Sequence, residues 1–460
     1  MKFAAIKPQR AWNAAATLWL VIVLAACLGL RIFMLVATDP IISPDSGGYM
    51  DLGRQIARLD LSLDLGVRTP VYPMLLALLG VDPLRVRLVQ MALGLLITGI
   101  AYWLVWRVTR SGTLSALAGA CYGLSLSQLY FEVNILTETL STLGVVLGTA
   151  LLLVILERLD RGRPVWAWVL GMGVVSALTG LIRPTFVFLP VFLAVIVLAR
   201  IWVLRRGLRQ AAVSVSLALL PAVIVIGGWS LYNYERLGYF GPSTISGYTL
   251  TDHSVAFIEY VPDKYAAIRE TYLDLRRQEG TKYVNVWLGP GRIMRQTGLS
   301  FVQLSRVLSK MSLELFIHHP GLYAQSVGLS WLQFWNAFGG FRGVEPWEGA
   351  HERQDALLLG IVFRAMKYVF ILLNLVFLCL AGIAIVAFVV RKGRAPGWVE
   401  QSAAIMAGLV LITALVSAMM QGGGFTTGGS NRYAMPVQPL IACSVFISLW
   451  MIWQCRKVNA

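Results

Sequence analysis

The stretch ATLWLVIVLAACLGLRIFMLVATDPIISPDSGGYM, Ala16 to Met50, decides how the rest of the chain is read. Its apolar run extends from about Trp12 to Val36, long enough at 1.5 Å per residue to cross a hydrocarbon core about 30 Å thick. Ala37, Thr38, Asp39 and Pro40 make a poor small-residue cleavage site, so the run is expected to remain as an anchor. The chain then turns polar within a few residues, and Asp45 stands beside two glycines at the rim of a span. A carboxylate there can cap a helix starting near Ser46, ligate a metal or act as a base.

Composition extends the reading to the whole chain. Of 460 residues, 57% are hydrophobic and 13% charged, with mean hydropathy +0.69, against roughly 25% charged residues in soluble domains. The apolar runs lack the alternation of barrel strands, so an all-α polytopic membrane protein is predicted. Ten spans fit: about 13–36, 86–106, 112–131, 137–156, 165–182, 185–204, 211–231, 366–390, 402–420 and 437–454. The weakest pair flanks IRPT, Ile182 to Thr185. A helix from Arg163 to Arg205 would be about 63 Å long, which is two crossings and places Arg183 and Pro184 at an outer turn.

The formal charge of +16 is concentrated at span ends: Lys2, Lys7 and Arg10, then Arg107 and Arg110, Arg158 to Arg163, Arg200 to Arg209, Arg391 to Arg394, and Arg456 with Lys457. Such clusters mark the cytoplasmic side, so the charge orients the protein and calls for no nucleic acid partner. Both termini are then cytoplasmic. The five cysteines lie in apolar runs without CxxC spacing, which predicts neither a disulfide framework nor a zinc site.

This topology divides the chain into an N-terminal membrane module, 1–231, with an outer loop at 38–85; an extracytoplasmic helical region, 232–360; and a C-terminal membrane module, 361–460. Most carboxylates fall outside, six of them (Asp39, Asp45, Asp51, Asp60, Asp64 and Asp82) in the first loop. Tyr49, Leu52, Ile56 and Leu59 there keep helical spacing, VYPMLLALLG is a run too short to span, and PDKYAAIRETYLDLRR reads as an amphipathic helix. Polar chemistry belongs to the outer face.

SPDSGGYMDLGRQIA, RTPVYPMLLALLG, NILTETLSTL, IRPT, GGWSLYNYERLGYFGPSTISGYTL and GGSNRYAMPVQPL follow one another along the chain. In that order they resemble the landmarks of GT-C membrane glycosyltransferases, nearest the bacterial relatives of protein O-mannosyltransferases and lipid A aminoarabinose transferases. The resemblance implies a polyprenyl-phosphate-linked sugar donor, a lipid, glycan or protein acceptor, and an active site on the outer face of the bacterial inner membrane. It also implies that Asp45 is the catalytic base or the residue that orients the acceptor. Many members carry an acidic pair at that place, whereas here Ser46 follows Asp45. Glu138 in NILTETL is the other catalytic candidate, or a boundary carboxylate meeting water.

The resemblance implies donor-phosphate contacts for Arg68 in RTPVYP and Arg432 in GGSNRYAMP, with Tyr72 beside Arg68, Arg183 in IRPT and His253 in TLTDHS as further substrate-binding candidates. Each has a plainer role open to it: headgroup contact for Arg68, structure for Arg183, a flexible loop around Arg432. The glycine-rich GGGFTTGGS before Arg432 reads as a lid or a flexible connection. His318 and His319 precede Pro320 and read as a helix end, while EPWEGAHE, Glu345 to Glu352, reads as a solvated loop or a cation site. No metal ligands are assigned, and a divalent metal stays open as a cofactor. The competing reading is a transporter or flippase for a lipid-linked glycan, which calls for ionisable residues in mid-membrane. The spans offer few.

Overall fold

The computed structural model describes residues 14–62, 64–281, 283–336, 349–390, 397–422 and 430–459. Helix α1 (Ala14–Ala37) leads through an outer segment bearing α2 (Ser46–Ala57) and α3 (Val71–Leu78) into α4 (Pro83–Thr109). Next come α5 (Gly112–Gly123), α6 (Leu126–Val133), α7 (Glu138–Asp160), α8 (Trp166–Ile182), α9 (Leu189–Val203) and α10 (Leu208–Ala222). A π-helical turn at Val223–Gly227 carries α10 into α11 (Gly228–Leu237). Five helices follow: α12 (Ser246–Ser254), α13 (Ala266–Glu279), α14 (Pro290–Thr297), α15 (Phe301–His318) and α16 (Pro320–Phe334). The chain closes with α17 (Arg353–Val390), α18 (Trp398–Met420) and α19 (Gln438–Asn459).

Local chemistry sets several of these boundaries. Asp82 accepts from the Arg85 backbone N–H, with Pro83 at the first helical position of α4, and Ser300 and Gln303 cap each other at the start of α15. Ile268, Thr271, Tyr272 and Leu275 are the buried stripe of α13, and Arg269 and Arg276 pair outside it with Asp263 and Glu259.

Eight stretches are long and apolar enough to cross a membrane: Ala14–Ala37, Pro83–Thr109, Glu138–Asp160, Pro184–Val203, Leu208–Leu237, Arg353–Val386, Trp398–Met420 and Arg432–Gln454. The expected ten included Trp166–Ile182, which is apolar but only 17 residues, and 112–131, which is broken. Helix α5 stops at Gly123, and the Ser125 hydroxyl caps a new helix by accepting from the Gln128 N–H. Every residue of α6 is buried, including Gln128 and Glu132, so it packs inside the bundle and faces no lipid. At the other extreme α17 has 38 residues, about 57 Å, so it outruns the hydrocarbon layer.

One apolar core runs through α4, α5, α7, α8, α9, α18 and α19. A separate core, built from Tyr248, Ile258, Tyr272, Leu304, Leu308 and Met311 among others, holds α12 to α15 together. Between the two lies the first outer segment, clamped on two sides. Ile41 joins the 133–135 backbone as a parallel bridge, with Ile41 N–H to Val133 O at 2.9 Å and Ile135 N–H to Ile41 O at 3.3 Å. On the other side Ser243 and Thr244 donate their hydroxyls to the Val67 and Leu65 carbonyls at 2.7 and 2.8 Å. Gly66, at φ +66°, has Leu237 and Thr244 methyls 3.0 Å from where a Cβ would stand, so the turn that carries the chain to Arg68 requires glycine.

Candidate active site

Asp45 precedes α2 in the cap position, yet its side chain makes no capping bond. Arginines take both carboxylate oxygens instead. Arg68 Nη2 donates to Oδ1 at 2.9 Å and Arg432 Nη1 donates to Oδ2 at 2.8 Å. Burial alone would raise the pKa of this carboxyl, but the two guanidiniums outweigh it and hold the group well below the usual carboxylate range. Arg68 lies 4.4 Å over the Tyr49 ring, and the missing side chain of Gly48 leaves room for its Nε, 3.2 Å from where a Cβ would be.

Glu138 opens α7, where the helix dipole favours a carboxylate. It is 1% exposed, and its Oε1 lies 3.1 Å from Arg183 Nη1 and 3.8 Å from Arg432 Nε. Arg183 sits at the end of α8, buried, with its guanidinium 4.4 Å over the Tyr433 ring; that of Arg432 is 5.4 Å from the same ring. Arg432 thus bridges the two carboxylates. Asp45 and Arg68 of the first outer segment, Glu138 at the start of α7, Arg183 at the end of α8 and Arg432 form a single cluster with three cations and two anions.

Tyr72 stands one layer back. Its hydroxyl donates to Gln90 Oε1 at 2.9 Å and its ring meets Tyr49 edge-on at 5.3 Å, so it braces the ring on which Arg68 lies. Gln90 in turn donates to the Glu132 and Asn134 carbonyls at 3.0 and 2.8 Å. His253 belongs to another set: Nδ1 pairs with Ser326 Oγ at 2.8 Å, and Phe316 and Tyr323 pack on the ring edge-on. Burial lowers its pKa to about 4 against the pull of the Ala418 and Met419 carbonyls.

The cluster gives a divalent cation no suitable site. Both carboxylates already face guanidiniums, and three such cations against two anions would repel a metal ion. Among the described residues no group of three or more metal-ligating side chains occurs. Of EPWEGAHE, residues 345–348 lie outside the described residues, as do 423–429 of the glycine-rich stretch; His351 Nε2 lies 3.2 Å from Asp39 Oδ1.

Sequence reasoning missed a charge pair inside the bundle. Arg31, in the first span, donates to Glu132 Oε1 at 2.6 Å and to the Cys27 and Gly123 carbonyls at 3.1 and 3.0 Å, with both charged side chains buried. The interior therefore holds more charge than the apolar runs led us to expect. Two opposite charges in separate apolar runs were the available signal. Glu132 leads directly into the segment that bridges Ile41, and the Ser46 hydroxyl donates to Asn134 Oδ1 at 3.3 Å, so the pair sits under the frame of Asp45. Arg87, also buried, donates to the Thr38 carbonyl at 2.6 Å and fixes the end of α1.

No protein-family model matches the sequence, and no curated protein matches it. Solved structures do share its shape. The archaeal oligosaccharyltransferase AglB of Archaeoglobus fulgidus, in complex with an inhibitory peptide and a dolichol-phosphate, is 12% identical with TM-score 0.50. The alignment covers 97% of this chain and 51% of AglB. The apo form of the same enzyme gives TM-score 0.50 at 11% identity over 96% of this chain and 51% of the other. ArnT from Cupriavidus metallidurans, bound to undecaprenyl phosphate, is 15% identical with TM-score 0.35 over 96% of this chain and 80% of its own. The chain spans about half the length of AglB. At this identity the likeness is one of fold: a polytopic helical membrane fold shared with AglB.

Proposed function

We propose that the protein is an inverting membrane glycosyltransferase that takes its sugar from a polyprenyl-phosphate-linked donor. The observation that carries this reading is Asp45 held between Arg68 and Arg432 at the end of a span. An acceptor hydroxyl attacks the anomeric carbon of the donor, its proton passes to Asp45, and the bond from that carbon to the phosphate oxygen breaks. Polyprenyl phosphate leaves with its added charge met by guanidiniums. The arrangement suits such a donor because arginine pairs bidentately with phosphate as readily as with carboxylate.

In the resting site Asp45 is a poor base, since both oxygens are paired with cations. A donor phosphate competes for the same guanidiniums. Drawing Arg68 and Arg432 toward the phosphate raises the basicity of Asp45 at the moment a hydroxyl needs it, so donor binds first and acceptor second. Arg183 keeps Glu138 compensated while Arg432 moves. A GT-C neighbour with bound dolichol-phosphate supports a lipid phosphate as the donor's carrier. The basic clusters at one set of helix ends support an extracytoplasmic site in a bacterial inner membrane, with both termini inside.

The test is transfer by the purified protein in proteoliposomes, supplied with a radiolabelled polyprenyl-phosphate sugar and membrane extract as acceptor. Label moving to a new covalent product, and lost in Asp45→Asn, is the expected result. Label that crosses the bilayer while still on its polyprenyl phosphate would make the protein a flippase.

A further inference from the structure

The end of the bundle opposite Asp45 is strongly cationic. Helix α7 runs from Glu138, beside Arg183, to Asp160, about 33 Å away. Around that far end residues 107–110, 158–163 and 200–209 supply nine arginines against Glu157 and Asp160. Arg107 and Arg161 share Glu157, and Arg200 takes Asp160 at 2.5 Å, so the carboxylates are used up. Arg206 is held by the Leu159 carbonyl at 2.8 Å, which fixes its position without neutralising it.

Arg206 and Arg209 stand with Trp166, Gln210 and Val213 around a groove of about 550 Å³ between the starts of α8 and α10. An apolar track leads away from it along the bundle. Trp166, Leu170 and Val174, one turn apart on α8, are 41%, 42% and 42% exposed, and Val213 and Leu220 on α10 are 39% and 51% exposed. Two guanidiniums and an indole at the mouth of a lipid-facing track suit one kind of molecule: a fixed anionic headgroup with acyl chains attached. A free phosphate would leave the track unused, and a zwitterionic headgroup would bring its own cation against the arginines.

We infer that the Trp166–Arg206–Arg209 groove binds an anionic phospholipid, its phosphodiester between the two guanidiniums and its chains along α8 and α10. The site is independent of the reaction proposed for Asp45.

Native mass spectrometry of the full chain, released from micelles containing graded dioleoyl phosphatidylglycerol, measures this directly. Wild type should retain phosphatidylglycerol at least tenfold more tightly than Arg206→Gln/Arg209→Gln. Arg110→Gln/Arg163→Gln, which removes the same charge at the same end outside the groove, should weaken it by less than threefold. Arg209→Glu alone, which leaves the Arg206 bond to Leu159 intact, should also lose at least tenfold. Dioleoyl phosphatidylcholine should be retained poorly, and 10 mM inorganic phosphate should not displace the lipid. Equal losses in the two double variants would reduce the effect to diffuse charge and overturn the site. Displacement by phosphate would make it a free-anion site, and equal retention of phosphatidylcholine would remove the arginines from the binding; either would overturn it too.

Discussion

Arg432 reaches Asp45 across 387 residues of chain, donating to its carboxylate at 2.8 Å while its Nε stands 3.8 Å from Glu138. Segments far apart in the sequence therefore close the site together. Arg432→Ala should harm donor use more than Arg68→Ala, because it uncouples both carboxylates where Arg68 serves one. Steady-state kinetics with varied donor should show a larger fall in kcat/KM for Arg432→Ala, by about tenfold. Equal effects would remove the bridging role.

Replacing Asp45 by asparagine separates base from phosphate competitor. Turnover should fall by roughly a hundredfold or more, since the amide cannot take the acceptor's proton. Donor should bind more tightly, since Arg68 and Arg432 no longer have a carboxylate to leave. Titration calorimetry with polyprenyl phosphate reports the second effect; weaker binding in the variant would show that the arginines do not move.

Gly48→Ala tests the placement of Arg68 without touching it. A methyl group there would stand 3.2 Å from Arg68 Nε, so the guanidinium must shift by a few tenths of an ångström. Donor KM should rise several-fold with the melting temperature nearly constant, whereas Gly47→Ala, with open space around it, should leave KM unchanged.

The buried ion pair predicts a contrast within α4. A Cβ on Gly94 would overlap the Glu132 carboxylate and crowd Arg31, while one on Gly99 meets nothing. Gly94→Ala should destabilise the protein by about 3 kcal/mol or more, the range for disrupting a buried pair. Gly99→Ala should stabilise it by up to about 1 kcal/mol. Unfolding in detergent, followed by circular dichroism, distinguishes them.

His253 sets a pH dependence. Its pKa is depressed in the folded protein, from 6.5 to about 4, so the unfolded chain takes up a proton first. Stability is full above pH about 6.5, falls as the pH drops toward about 4, and levels below that, a loss on the order of 3 kcal/mol. His253→Gln should flatten this part of the curve of melting temperature against pH. An unchanged slope would place the acid sensitivity elsewhere.

Eight of the ten expected spans, the gathering of arginine at helix ends and the amphipathic α13 were legible because each depends on a local pattern of apolar and charged residues. Asp45, Arg68 and Arg432 could be named from the order of motifs, but their shared geometry could not, since it arises from contacts between distant segments. The broken crossing at Ser125 shows the limit. A serine cap inside an apolar run leaves hydropathy almost unchanged, yet it redirects α6 into the bundle, where Glu132 finds Arg31. Arg183 presents the same difficulty: at a turn it reads as structural, and only the fold shows that its partner is Glu138.

The separate core of α12 to α15 has a bearing on how such a protein can diversify. Helices with their own interior can be exchanged by recombination while the membrane bundle is left as it is. The seam is made of named contacts: Ser243 and Thr244 must still hold residues 65–67, Ser305 must still reach the Thr244 carbonyl, Arg306 the Leu237 carbonyl, and His253 must still meet Ser326. A chimera that keeps these contacts and replaces the rest of the outer helices would keep the Asp45 cluster and acquire a new outer surface.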